Sequence, residues 1–110
     1  MIELRLSELA QSLGVACESG DAVVTGLAID SRAVKPGDLF VAIDGEHVDG
    51  HDFIDKALDN GAAAIACTRP IDVAAPHIEA ADSQQVCAHY GQLIRGRFHG
   101  SVIGITGSAG

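Results

Sequence analysis

The sequence has 110 residues, enough for one ordinary domain with a piece of a second, which excludes an enzyme built from several domains. Because 47% of the residues are hydrophobic and only 20% are charged, the composition is that of a soluble globular chain and excludes a disordered one. The formal net charge of -8 opposes attraction to nucleic acid, so we expect no nucleic-acid partner. No apolar run approaches the roughly 20 residues that span a bilayer, so we expect no membrane-spanning segment.

The predicted elements alternate between helices and strands, a pattern typical of layered α/β domains. The first is a helix over residues 6–13, with Ser7 as its expected cap and Gly14 as its expected end. Two aliphatic and β-branched runs follow, and they predict strands over residues 23–29 and 39–43.

A turn and an amphipathic helix are predicted next. The pair Pro36-Gly37 suits the central positions of a type II turn between the two strands. Residues 51–60 predict a helix that ends before Gly61. Its expected apolar side consists of Phe53, Ile54, Ala57 and Leu58.

The last part of the chain predicts two short strands, a long helix and a final strand. The short strands lie over residues 62–67 and around 77–80. Asp82 or Ser83 then begins a helix, and residues 101–106 form the last strand. The apolar face of this helix consists of Val86, Tyr90, Leu93, Ile94 and Phe98. A domain boundary is predicted at residues 80–83, where a fresh helix follows loop residues.

The three cysteines indicate a reducing compartment. Cys17, Cys67 and Cys87 are odd in number and far apart, and none belongs to a C-x-x-C pair. This spacing indicates neither a disulfide framework nor a zinc knuckle, so we interpret them as reduced core residues. We expect a cytoplasmic protein.

The final segment, V-I-G-I-T-G-S-A-G over residues 102–110, is a strand that runs into glycines. Such a loop can turn its backbone N–H groups toward phosphate oxygens. The match to the phosphate-binding loop G-x-x-x-x-G-K-[ST] is partial, because Ile105 stands at the place of the first glycine and Gly110 at that of the second. A glycine-rich strand end without a ligand is the alternative.

Several motifs in order resemble the amino-terminal part of Mur ligases. They are D-S-R-x-x-x-P-G-D-L-F over residues 30–40, V-A-I-D-G-E-H-V-D-G-H-D-F over residues 41–53, and the terminal T-G-S-A-G. The H-D-F tripeptide, T-R-P-I-D over residues 68–72 and the Gly-Ser loop are most similar to the MurF type, which adds D-alanyl-D-alanine to UDP-N-acetylmuramoyl-tripeptide. The MurE type, which adds the third peptide residue, shares D-S-R and P-G-D-L-F. The resemblance covers essentially the whole chain.

The resemblance implies a fold, a division into domains and an activity. The fold is α/β, with a small mixed sheet and flanking helices, followed by the first helix and strand of an ATPase domain. Residues 1–81 would bind the UDP-muramoyl-peptide, and residues 82–110 would open the central ATP-binding domain. The parent enzyme would be an ATP- and Mg²⁺-dependent ligase of peptidoglycan precursor synthesis. We expect this chain alone to be inactive, because no Lys-Ser or Lys-Thr follows its loop.

The same resemblance assigns candidate site residues. Ser31 would hydrogen-bond the uridine or diphosphate group, although it could instead stabilise a turn. Arg32 would neutralise phosphate charge, or else form a surface pair with Asp30 or Asp38. The remaining candidates are Glu46 and His47 near the uracil, where the MurE type has His-Gln, and the ATP phosphate loop Thr106, Gly107, Ser108, Ala109 and Gly110.

Other functions are weighed against this one. His47, Asp49, His51 and Asp52 could form a metal cluster, but Gly50 interrupts the alignment of the histidines, so we predict no metal site. No catalytic residue is assigned to the chain. A non-catalytic nucleotide-sugar-binding module and an α/β interaction domain without a ligand are the rival interpretations. If the helix from Asp82 lacks a partner domain, its apolar face must pack on the first domain, pair with another copy or remain mobile, and we favour the first two.

Overall fold

The computed structural model describes residues 3–17, 19–43 and 50–101, with no account of the side chains of residues 98–101. The strands are β1 (Leu4–Arg5), β2 (Val23–Val24), β3 (Gly26–Ala28), β4 (Asp38–Val41), β5 (Ala64–Cys67) and β6 (His77–Glu79). The helices are α1 (Leu6–Leu13), α2 (Ile54–Asp59) and α3 (Ser83–Ser101), with 3-10 helices at Ser31–Ala33 and Gly50–Phe53.

The strands form two sheets. Strands β3, β4, β5 and β6 pair in sequence order and all in parallel, whereas β1 and β2 form a separate antiparallel pair. The predicted α/β class with mixed strand directions is therefore confirmed. A parallel sheet needs cover on both faces, and the helices supply it.

The single strand predicted over residues 23–29 is wrong, because it is two strands that belong to different sheets. Val24 pairs with Leu4 in the small sheet, and Gly26 pairs with Asp38 in the large one. Between them, the backbone N–H of Thr25 donates to the carbonyl of Gly37 at 2.9 Å. The run is locally continuous, but its two halves have different neighbours.

Alternate residues of the large sheet face two different cores. The α1 core lies on the side of α1 and α3 and includes Leu4, Leu6, Leu9, Ala10, Val24, Leu39, Val41, Ala64, Ala66, Ile78, Ala80 and Val86. The α2 core lies on the other side and includes Ala28, Val34, Phe40, Ala42, Ile54, Ala57 and Ile65. Leu39 and Val41 thus face one core and Phe40 faces the other, as the period of two in a strand requires.

Helix α1 spans the predicted residues, but Ser7 is not its cap. The capping position is Arg5, whose backbone N–H donates to Glu8 Oε1 at 3.1 Å. The backbone N–H of Ser7 lies inside the first turn and donates to Asp21 Oδ1 at 2.9 Å. The acceptor for this exposed N–H therefore comes from a distant loop and not from the helix itself. The predicted end at Gly14 is confirmed.

The turn before β4 is the predicted type II turn. The backbone N–H of Asp38 donates to the carbonyl of Lys35 at 3.0 Å, which closes the turn. Gly37 has φ of 93°, the left-handed value that this turn type needs at its third residue.

The predicted helix over residues 51–60 is α-helical only from Ile54, after a 3-10 helix. Ile54 and Ala57 are buried in the α2 core, as predicted. The assignment of Phe53 to the apolar core side is wrong, since 39% of this residue is exposed. The 3-10 geometry rotates Phe53 away from the face that the α-helical period assigns to it.

Helix α3 begins at Ser83, as predicted, and Asp82 Oδ1 accepts the backbone N–H of Gln84 at 2.8 Å. Val86 is fully buried in the α1 core, and Tyr90, Leu93 and Ile94 are partly buried against it. The apolar face of α3 therefore packs on the fold that precedes it.

The end of α3 corrects one further prediction. Ser101 belongs to this helix, so a strand does not begin there, and residues 102–106 lie outside the described part of the chain. No helix in the described ranges is long and apolar enough to cross a membrane.

Candidate functional site

The candidate site is a cleft of about 530 Å³ at the carboxyl ends of β3 and β4. Ligands of open α/β sheets bind at this edge of the strands. The lining residues are Ile29, Asp30, Ser31, Arg32, Phe40, Ile43, Gly50, Phe53 and Lys56. The structure thus brings the predicted Ser31 and Arg32 into one cleft with residues that the sequence analysis did not select.

Ser31 lies in the 3-10 helix that follows β3. The residue is only 6% exposed, and its carbonyl accepts the Asn60 side-chain amide at 2.8 Å. The side chain that stabilises this turn is Asp30, whose Oδ1 accepts the backbone N–H of Arg32 at 2.9 Å. The Ser31 hydroxyl has no hydrogen bond with any residue that the structure describes. A buried hydroxyl at a cleft is a donor and acceptor for a ligand.

Arg32 is held by the carboxylate of Asp30. Its Nε donates to Oδ1 at 3.1 Å and its Nη2 donates to Oδ2 at 2.9 Å, a two-pronged contact. Hydrogen bonds from Arg32 lower the pKa of Asp30, and the carboxylate in turn raises the pKa of Arg32. The predicted alternative of a pair with Asp30 is therefore realised. The Nη1 donors make no hydrogen bond within the described ranges.

Apolar side chains form the walls of the cleft. Ile29 is 55% exposed and Phe53 is 39% exposed, although both side chains are large and hydrophobic. Phe40, which is 1% exposed, lies beneath them in the α2 core. An exposed aliphatic and an exposed aromatic side chain in one cleft favour a planar ligand with apolar faces.

Gly50 shapes the cleft by close backbone contact. Its N–H donates to the carbonyl of Ile43 at 2.8 Å, so Gly50 and Ile43 lie side by side at the cleft. A Cβ atom at this position would lie 2.5 Å from the backbone nitrogen of Ile43. Glu46 and His47, the two residues predicted near the uracil, fall in residues 44–49, outside the described residues.

A second cleft of about 620 Å³ adjoins the first and shares Ile43 with it. It lies at the carboxyl ends of β5 and β6 beside the start of α3. Its other lining residues are Thr68, Ala81, Asp82, Ser83, Gln84 and Cys87. The carboxyl edge of the parallel sheet therefore carries a continuous pair of clefts.

The cleft lies in a segment of the chain that matches a known protein family. The family model described as "Mur ligase family, catalytic domain" matches residues 23–94, which include every residue that lines the first cleft. The chain belongs to the Mur ligase family. The resemblance based on the D-S-R, P-G-D-L-F and H-D-F motifs is confirmed.

Relatives of both Mur ligase types resemble the chain. It is 34% identical over 110 residues to the UDP-N-acetylmuramoyl-tripeptide--D-alanyl-D-alanine ligase of Escherichia coli, with 100% of the chain and 24% of the relative covered. It is 39% identical over 115 residues to the UDP-N-acetylmuramoyl-L-alanyl-D-glutamate--2,6-diaminopimelate ligase of Listeria monocytogenes, with 97% and 23% covered. The chain spans about a quarter of the length of these relatives. These sequence identities assign the chain to the Mur ligase family and do not distinguish the MurF type from the MurE type.

Solved structures support the fold. MurF from Acinetobacter baumannii superposes with a TM-score of 0.72 at 24% identity, covering 83% of this chain and 21% of that one. The MurF ligase from Thermotoga maritima in complex with ADP gives a TM-score of 0.51 at 40% identity, covering 55% of this chain and 14% of that one. The arrangement of this Mur ligase chain is thus that of MurF structures.

The ATP phosphate loop predicted at Thr106, Gly107, Ser108, Ala109 and Gly110 lies outside the described residues. Among the residues that are described, no group of three metal-ligating side chains is placed to hold a metal ion. His51, one of the four side chains in the rejected cluster, is buried, and its Nε2 accepts the backbone N–H of Thr68 at 3.1 Å. This contact ties the start of the 50–53 turn to the end of β5.

Seven of the nine described lining residues were not selected as site residues from the sequence, namely Ile29, Asp30, Phe40, Ile43, Gly50, Phe53 and Lys56. Most of them had a local signal. Ile29 directly precedes the D-S-R motif, and Phe53 ends the H-D-F tripeptide, so both stand beside motifs that carry the family resemblance. Gly50 lies within the motif over residues 41–53, whereas Lys56 had no such signal, because its place at the cleft depends on how α2 packs against the 31–33 turn.

Proposed function

We propose that this chain is the UDP-muramoyl-peptide-binding part of an ATP-dependent amide-bond ligase of peptidoglycan precursor synthesis, of the MurF type. The observation that carries the proposal is the buried Ser31 hydroxyl, which has no partner within the described ranges and lines an apolar-walled cleft. The family membership supplies the class of substrate. The E. coli and Listeria relatives are both named as ligases of a UDP-N-acetylmuramoyl peptide.

The cleft supports nucleotide binding through three kinds of contact. Ile29 and Phe53 would flank the two faces of the pyrimidine, since aromatic and aliphatic side chains stack on bases. The Ser31 hydroxyl would hydrogen-bond the polar edge of the nucleoside. Arg32, held by Asp30, would direct its Nη1 donors to a phosphate oxygen. The adjoining cleft beyond Ile43 gives the muramoyl-peptide a surface on which to continue.

In the parent ligase, ATP and Mg²⁺ would supply the phosphoryl group and the charge neutralisation that activate the terminal carboxylate of the tripeptide. Residues 106–110, which would hold the phosphates, lie outside the described residues. The described residues bind and orient the nucleotide end of the substrate. The amine of D-alanyl-D-alanine would be the second substrate of the parent.

A cytoplasmic location fits this role. Cys17, Cys67 and Cys87 are free thiols, and burial raises the pKa of Cys67 to about 11. A thiol with such a pKa is protonated near neutral pH and is a poor nucleophile, consistent with a structural role for Cys67. Free cysteines are usual in reducing compartments.

The test is a titration of the ¹⁵N-labelled 110-residue chain with UDP, followed through backbone amide shifts. We expect the largest shifts at Ser31, Arg32 and Gly50, which line the first cleft. Removal of the hydroxyl in Ser31→Ala should weaken UDP binding by about twofold to tenfold, the range of one hydrogen bond.

The matched control is Ser12→Ala, because Ser12 is an exposed serine of α1 whose hydroxyl contacts His89 Nδ1 at 2.7 Å. It should leave the affinity for UDP unchanged. An absence of shifts around Ser31 at millimolar UDP would overturn the proposal and favour an interaction domain without a ligand.

The MurE type is the second candidate, because the Listeria diaminopimelate ligase is 39% identical to the chain. The two types share the nucleotide end of the substrate and differ in the group that is added. An assay of the full-length parent with D-alanyl-D-alanine and with 2,6-diaminopimelate separates them. We expect turnover with the former, and turnover only with the latter would assign the MurE type.

A further inference from the structure

The charged side chains that line the first cleft differ in whether they form an ion pair. Among the described residues, three charged side chains line it, namely Asp30, Arg32 and Lys56. Asp30 and Arg32 form the two-pronged pair, with Nη2 and Oδ2 2.9 Å apart, so together they contribute no net charge. Among the described lining residues, the positive charge without an ion-pair partner is that of Lys56.

Lys56 is exposed on α2 and has no ion pair within the described ranges. Acidic residues are near in sequence, since Asp52, Asp55 and Asp59 surround it, but none of them lies within 4.0 Å of its ammonium group. The side chain is therefore available to an anion from solution.

The position of Lys56 relative to Phe53 fits one ligand that has both a base and a phosphate. The two residues are three apart along the chain, and residues with this spacing lie on the same side of a helical segment. Both line the same cleft. The flexible four-carbon stem of lysine would let its ammonium group reach a phosphate attached to a base that lies against Phe53.

We propose that Lys56 contacts the diphosphate of the bound uridine nucleotide and is the main source of the cleft's preference for UDP over uridine. This inference rests on the proposed function. A chain with a net charge of -8 repels anions at long range, so a diphosphate needs a local unpaired cation to bind. Arg32 contributes directional hydrogen bonds, because Asp30 already neutralises its charge.

The test compares the affinities of the 110-residue chain for UDP and for uridine in the wild type and in Lys56→Gln. The variant should bind UDP about threefold to tenfold more weakly, as expected for one exposed charge pair, and uridine with unchanged affinity. The loss should shrink at about 1 M salt, where screening is strong. Lys56→Arg should restore the preference for UDP.

The matched control is Lys35→Gln, which changes the net charge equally at the only other lysine of the chain. Lys35 is exposed and does not line the first cleft. Equal losses of UDP affinity in the two variants would attribute the effect to net charge and overturn the inference.

The outcomes separate this inference from the proposed function. If UDP binds the wild type with shifts at Ser31, but Lys56→Gln keeps the full preference for UDP over uridine, the assignment of Lys56 is wrong and the proposed function stands. If neither UDP nor uridine shifts the amides of the cleft, both proposals fail together.

Discussion

At the scale of single residues, Gly50 is a position with no room for a Cβ atom. A Cβ there would lie 2.5 Å from the nitrogen and 3.0 Å from the oxygen of Ile43, and both are backbone atoms that cannot turn aside. We expect Gly50→Ala to lower the free energy of unfolding by about 1 to 3 kcal/mol, the range for overpacking. Urea denaturation followed by circular dichroism measures it.

Gly91→Ala is the control for this substitution. A Cβ at Gly91 meets no atom within 4 Å, and the residue lies inside α3, where alanine is the better helix former. It should raise stability by about 0.5 to 1 kcal/mol. Equal stabilities of Gly50→Ala and the wild type would show that the chain at Ile43 yields readily to a methyl group.

Some residues of the candidate site can be predicted from the sequence and others cannot. Ser31 and Arg32 were found because they belong to a motif with a fixed spacing. Phe53 was assigned to the core, since the helical period places it beside Ile54 and Ala57, whereas the 3-10 start turns it to the cleft. Lys56 was missed because nothing in its local sequence distinguishes a cleft lysine from any exposed one.

At the scale of elements, α3 is fastened to the start of the chain by Arg97. Its Nη1 donates to the carbonyl of Glu3 at 2.7 Å, and its Nη2 contacts the carboxylate of Glu8 in α1. The hydrogen bond from Arg97 is the main cause that lowers the pKa of Glu8. The pKa of Glu8 is therefore lower in the folded chain than in the unfolded one. The contact stabilises the folded state at neutral pH, and this stabilisation is lost as the pH falls and Glu8 becomes protonated.

We therefore expect Glu8→Gln to be less stable than the wild type at pH 7, with a difference that shrinks as pH falls below about 4.3, the usual pKa of a glutamate. Urea midpoints measured between pH 7 and pH 3 provide the comparison. Glu79→Gln is the control, because Glu79 is exposed on β6 and has no ion pair in the described part of the chain. A difference between wild type and Glu8→Gln that stays constant down to pH 3 would contradict this role for the carboxylate.

Elements were predictable where their signals are local. A few adjacent residues predict the end of α1 at Gly14 and the turn at Pro36-Gly37. They also predict the start of α3 directly after Asp82. The division of residues 23–29 at Thr25 was not predictable, because only pairing with Leu4 and Asp38 separates the two strands. The acceptor for the Ser7 N–H also comes from Asp21, which no local pattern connects to α1.

At the scale of the whole molecule, the fold does not stop at the predicted boundary of residues 80–83. Ala80 and Val86 lie on either side of it, and both are buried in the α1 core. Helix α3 thus closes one face of the sheet while α2 closes the other. The division into residues 1–81 and 82–110 stays a prediction about the parent enzyme, and in this chain α3 shares its core with the preceding fold.

The last prediction follows from this shared core. Val86→Ala removes a fully buried side chain and should cost about 1 to 3 kcal/mol of unfolding free energy. Because α3 and the sheet share one core, unfolding should remain a single transition by both circular dichroism and Tyr90 fluorescence, with its midpoint lowered in both. Gln85→Ala, at an exposed neighbouring position of α3, should change stability by less than about 0.5 kcal/mol. Two separate transitions, or a Val86→Ala variant as stable as the wild type, would mean that α3 folds independently of the sheet.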